Sequence, residues 1–94
     1  MILKFTEAYK MNDEYIFDTQ ALIEGSTLNE DDLTEQIETK FPGNSLIVGG
    51  DDELMKVHYH TDNPGRVIDY LITIGTVFDV VIENMERQAK GLKG

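Results

Sequence analysis

His58 and His60 are the only two histidines of the chain, and both lie in the run Lys56-Val57-His58-Tyr59-His60-Thr61-Asp62-Asn63-Pro64-Gly65. In an extended strand side chains alternate, so Lys56, His58 and His60 share one face while Met55, Val57 and Tyr59 line the other. The apolar set is the natural core face. The two imidazoles then stand on the opposite face with Cα atoms about 7 Å apart, close enough to converge on one metal ion. Histidines at this spacing also serve as plain surface or interface residues, and spacing alone does not separate the two readings.

The elements that must position these residues follow from the hydrophobic pattern. Residues 14–24 alternate, with Tyr15, Phe17, Thr19, Ala21 and Ile23 on one face and Ile16, Asp18, Gln20, Leu22 and Glu24 on the other, which predicts a strand whose polar side centres on Asp18. Asn29 suits the N-cap of a helix starting at Glu30, where three acids in the first turn meet the positive end of the helix dipole. Leu28 and Leu33 are spaced as a hydrophobic staple, Leu33, Ile37 and Phe41 form the buried stripe, and Pro42-Gly43 stops the helix. Residues 45–48 and 54–60 read as two strands of a hairpin joined by Gly49-Gly50-Asp51-Asp52. Asp62 or Asn63 caps a second helix with Pro64 in its first position, Val67, Leu71 and Ile74 as its stripe and Gly75 as its stop. A last strand covers about residues 77–83, and residues 84–94, with four basic side chains among small and polar ones, read as a fraying extension or linker.

The order strand, helix, strand, strand, helix, strand is that of an α+β, ferredoxin-like βαββαβ domain, a four-stranded antiparallel sheet with two helices on one face. Its first and third strands are central neighbours. Asp18 therefore falls beside His58 and His60 on the sheet face that the helices leave open, so that three candidate ligands meet from two adjacent strands, with a fourth position left over for another group. Ile16 and Leu22 on that face point to a cover, such as a second copy or a neighbouring domain.

Composition narrows the function classes. Ninety-four residues make one small domain, too short to hold both a nucleotide-binding and a substrate domain. Eighteen acidic residues against 8 basic ones give a net charge of −10, which opposes binding to nucleic acid or to an anionic membrane surface. The absence of cysteine rules out a disulfide framework, and no apolar run is long enough to span a bilayer, so a cytoplasmic location is expected. Gly49-Gly50 fits a hairpin turn and not a phosphate-binding loop, and Asp51, Asp52 and Glu53 lack the ligand spacing of an EF-hand. Nowhere do a nucleophile, a base and an orienting group occur together, so no catalytic residues are assigned.

Three segments, YIFDTQALIEG at residues 15–25, DDELMKVHYHTDNPG at residues 51–65 and IENMERQ at residues 82–88, resemble the middle domain of the bacterial dihydroxyacetone kinase-like proteins, whose best-known members are the ATP-binding subunits of fatty acid kinase. The most specific part is the K-V-H-x-H-T-x-x-P-G run at residues 56–65. The resemblance implies a non-catalytic domain, residues 14–88, that supports dimerisation and carries a metal site, with residues 1–13 a leader or linker end and residues 89–94 a linker end. It further implies that ATP and magnesium belong to an N-terminal domain absent from this chain, and that a C-terminal domain engages a fatty-acid-carrying partner protein. Of the family's metal-site residues, His58 and His60 match the two histidines, whereas the cysteine of the usual Y-C-T-E-F run falls on Asp18. An Asp oxygen can bind zinc, yet losing the thiolate admits other divalent ions. The competing expectations are a freestanding small-molecule or metal-binding module and a purely structural dimerisation domain.

Overall fold

The structure is a computed structural model that describes residues 15–94, so the reading of residues 1–13 as a leader lies outside the described residues. The elements run β1 (Phe17–Glu24), α1 (Glu30–Lys40), β2 (Asn44–Gly50), β3 (Leu54–Thr61), α2 (Pro64–Ile74), β4 (Thr76–Asn84) and a short α3 (Met85–Ala89). The four strands form one antiparallel sheet in the order β2-β3-β1-β4, the ferredoxin-like arrangement with β1 and β3 in the centre.

Strand parity sends Ala21 and Ile23 of β1, Val48 of β2, and Met55, Val57 and Tyr59 of β3 to one side. There they pack with Leu33, Ile37 and Phe41 from α1 and its C-terminus and with Val67 and Leu71 of α2 in a single core. Both long helices therefore cover the same face. Asn29 caps α1, its Oδ1 accepting from the Asp32 amide at 2.8 Å. Pro64 opens α2, but Asn63 makes no side-chain cap hydrogen bond. Asp62, the alternative capping residue, instead accepts the Ile16 amide at 2.8 Å.

That bond explains why β1 begins at Phe17 and not at the first alternating residue. The Ile16 amide is taken by Asp62 and its carbonyl accepts from the Met85 amide at 2.9 Å, so neither group is left for the sheet ladder. Ile74 also departs from expectation. It sits in the last turn of α2, 38% exposed, at the rim of a groove shared with Leu28 and Tyr70, whereas Ile68 and Tyr70 pack against the core. The basic tail is folded as well: Asn84 Oδ1 accepts from the Arg87 amide at 2.9 Å and starts α3, and the Arg87 side chain donates to the Lys93 carbonyl at 2.9 Å. A five-residue helix was hidden from the periodicity because none of its residues is buried.

Each edge strand carries a bulge. Opposite the two-residue step from His60 to His58, β2 advances three residues from Asn44 to Ile47; opposite Gln20 to Leu22, β4 runs from Val81 to Phe78. Within each bulge lies a non-glycine residue in the left-handed region, Ser45 at φ 57° and Asp79 at φ 50°. Bulged edges discourage strand addition from another chain.

The polar groups behind the site are held from the core side. The Tyr59 hydroxyl donates to the Phe41 carbonyl at 2.6 Å and the Thr61 hydroxyl to the Pro42 carbonyl at 2.9 Å. Gly43 follows, and a Cβ there would collide with the Tyr59 ring. The connection from α1 to β2 is thus fastened to β3 immediately before Asn44 and Ser45 enter the open face.

Candidate functional site

The register puts Asp18 opposite His60 and Gln20 opposite His58 across β1 and β3, and Asn44 opposite His60 across β2 and β3. Directly paired residues project to the same side of a sheet. Asp18, His58 and His60 accordingly come together on the face away from the helices, each partly buried, with one donor atom from each lying within 4.8 Å of the others. The two imidazole rings meet edge to face, centroids 4.8 Å apart at 63°.

The contacts define the state of His58. Its Nδ1 lies 3.1 Å from the Ser45 carbonyl oxygen, which can only accept, so Nδ1 carries the proton. The other ring nitrogen, Nε2, lies 3.1 Å from Asp18 Oδ1. A bare Nε2 lone pair and a carboxylate oxygen repel each other at this distance, so the pair is matched to a cation between them, either a second proton on the ring or a metal ion. Gln20 Nε2 donates to the same Asp18 oxygen at 3.4 Å, a weak bond that restrains the carboxylate.

Two observations test whether these residues fit a metal ion. The donor set of two imidazoles and one carboxylate oxygen is one that zinc and other first-row divalent ions accept, with room for further ligands. Beside it, the Asn44 side-chain oxygen is buried and accepts no hydrogen bond among the described residues. Such an oxygen, on the residue facing His60, suits a group brought in by an ion, such as a coordinated water. On both counts the residues fit a divalent ion.

Around the cluster the open face is apolar. Leu22 and Phe78 are partly buried, and Ile47, Leu54 and Val81 are 64%, 44% and 45% exposed. Ile47, Gly49, Lys56, Gln20 and His58 line a shallow groove along it. Of the apolar residues expected there, Leu22 is on this face, while Ile16 precedes β1 and is tied to Asp62 and Met85. The sequence pattern did not single out Asn44, Ser45 or Gln20. Only the β2–β3 register brings Asn44 and Ser45 to the histidines, and that register depends on a bulge at a serine, a residue with no marked preference for the left-handed region.

The acidic hairpin tip makes a turn. Asp51 Oδ1 accepts from the amides of Glu53 and Leu54 at 3.0 and 2.9 Å. Those two bonds hold its carboxyl below the ordinary value. Gly50, at φ 138°, is required before it, since a Cβ would strike the Leu54 carbonyl. No helix among the described residues is long and apolar enough to cross a membrane.

Comparison with known proteins agrees with the site and the topology. Residues 14–92 match the FakA-like middle domain, the middle domain of fatty acid kinase proteins of the FakA type. Over 46 residues the chain is 46% identical to uncharacterised proteins of Staphylococcus haemolyticus and Staphylococcus epidermidis, and 44% identical to one of Staphylococcus aureus. The matched stretch is 49% of this chain and 8% of each of those longer proteins. With its ferredoxin-like sheet and a family match that extends through α3, this chain belongs to the FakA-like middle-domain family of the fatty acid kinases.

Proposed function

We propose that this chain is a non-catalytic middle domain of a fatty acid kinase-type protein, one that holds a divalent ion on Asp18, His58 and His60 and self-associates through its open sheet face. The observation that carries the metal part is the meeting of three donor atoms within 4.8 Å on one face, with His58 Nε2 and Asp18 Oδ1 turned toward each other. A bound ion would neutralise the carboxylate and tie β1 to β3, a structural contribution that requires no reaction at the site. Zinc is the first candidate, and the carboxylate in place of a thiolate leaves room for harder ions. Phosphate transfer from ATP, with its magnesium, and the contact with a fatty-acid-carrying partner protein are assigned to other domains of such a protein, which works in the cytoplasm.

For self-association the support is the exposed apolar set Ile47, Leu54 and Val81 around the cluster, together with bulges that spoil both sheet edges for strand pairing. The face, not an edge, is the contact surface. A second reading is favoured by the 3.1 Å His58–Asp18 contact, which is also an ordinary ion-pair distance: the histidine is then an imidazolium, and the domain is a metal-free dimerisation unit.

Calorimetric titration of the metal-free protein with zinc separates the two. The metal reading expects one ion per chain and loss of binding in His58→Ala and His60→Ala. Equal behaviour of all three proteins leaves the ion-pair reading.

A further inference from the structure

The structure assigns to the backbone of Ser45 the role of a positioning group that fixes the tautomer of His58 and delivers its Nε2 to the ion. The inference rests on the metal-site reading for its second half only; the tautomer is a property of the metal-free protein.

Three observations carry it. Ser45 is the extra residue of the β2 bulge, with φ 57°, a conformation that non-glycine residues seldom adopt. Its carbonyl thereby turns out of the ladder and accepts from His58 Nδ1 at 3.1 Å. In a regular strand that carbonyl would be directed along the ladder, and the ring would be free to take either tautomer. Finally, the bulge is not a loose edge. Tyr59 and Thr61 fasten the carbonyls of Phe41 and Pro42, and Gly43 lies against the Tyr59 ring, so the chain enters the bulge from a fixed point.

The consequence is chemical. A proton held on Nδ1 leaves Nε2 as the ligand nitrogen, and Nε2 is the atom 3.1 Å from Asp18 Oδ1. A backbone carbonyl behind a ligating histidine orients the ring and raises its basicity toward the ion, and loss of such a partner typically lowers metal affinity about 10–100-fold. A serine side chain plays no part, so the position tolerates any residue that accepts a positive φ. Glycine is the best of these and a β-branched residue the worst.

The test is nitrogen-detected NMR of the histidine rings in the metal-free and zinc-loaded protein, with Ser45→Gly and Ser45→Val beside the wild type. In the metal-free wild type His58 Nδ1 carries a proton, and on zinc loading only the Nε2 signal of that ring changes character. Ser45→Gly keeps the pattern and the affinity. Ser45→Val, with an unchanged circular dichroism spectrum, gives a mixed tautomer and zinc binding weakened about 10–100-fold. A bare Nδ1 in the metal-free wild type, or zinc on Nδ1, overturns the assignment. A protonated Nδ1 with no zinc bound upholds the tautomer and refutes the metal reading instead.

Discussion

Asp18 sits directly opposite His60 in the β1–β3 register, yet its carboxylate reaches diagonally to His58, whose Nε2 is 3.1 Å from Oδ1. Diagonal neighbours in an antiparallel pair are within reach of long or ring side chains. One carboxylate can therefore serve both imidazoles, and position 18 governs what the cluster prefers to hold.

Substitution at position 18 should change ion preference and not only affinity. Asp18→Cys supplies a thiolate and is expected to tighten zinc while weakening manganese, whereas Asp18→Ala leaves two imidazoles and weakens every divalent ion. Competition titrations with zinc and manganese check the prediction. Parallel changes for both ions in Asp18→Cys would count against carboxylate ligation.

Tyr59 holds the segment that leads into the Ser45 bulge. Its side chain is buried and its hydroxyl donates to the Phe41 carbonyl at 2.6 Å. Tyr59→Phe leaves that carbonyl without its donor, so a loss of about 1–3 kcal/mol is expected by urea unfolding. Burial, with a smaller contribution from Glu38, raises the phenol above its ordinary value of 10.0. The unfolded tyrosine ionises first. Its contribution is therefore complete below pH 10.0 and declines as pH rises toward the folded value, a dependence that Tyr59→Phe removes.

At the hairpin tip the sign is the opposite. Asp51 titrates below its ordinary value of 3.8 because its carboxylate accepts two backbone amides, so it stabilises the turn above that value and the contribution is lost as pH falls through the folded value. Asp51→Ala should lower the urea midpoint at neutral pH, and the difference from wild type should close in acid. Equilibrium unfolding from neutral pH into acid measures it. A difference that persists unchanged in acid contradicts the assignment to the ionised carboxylate.

Charge on the open face should prevent self-association without unfolding the domain. Ile47 and Val81 are both exposed, so Ile47→Glu with Val81→Lys costs little in the monomer. Sedimentation is expected to show association of the wild type and a monomer for the double variant. If the two sediment alike, the face is not the contact.

Much of this arrangement was legible in the alternation of two segments. Parity in residues 15–24 and 54–61 separated Ala21, Ile23, Val57 and Tyr59 from Asp18, His58 and His60, and the order of elements set β1 beside β3. The bulges were not legible. Ser45 and Asp79 are held in the left-handed region by the tertiary fold, and no local preference announces them. Asn84 is a good N-cap, but the five residues after it are too few to show a period, so α3 was read as a tail. The stripe of α2 was right at Val67 and Leu71 and failed at Ile74, where the helix ends in its exposed last turn.

X-ray absorption at the zinc edge of the zinc-loaded protein tests the central claim most directly. The expected result is one zinc per chain, bound by nitrogen and oxygen alone at about 2.0–2.2 Å, with the more distant scattering of two imidazole rings, one of which disappears in His58→Ala. A protein that retains no zinc after dialysis, or a zinc environment without imidazole, would contradict it.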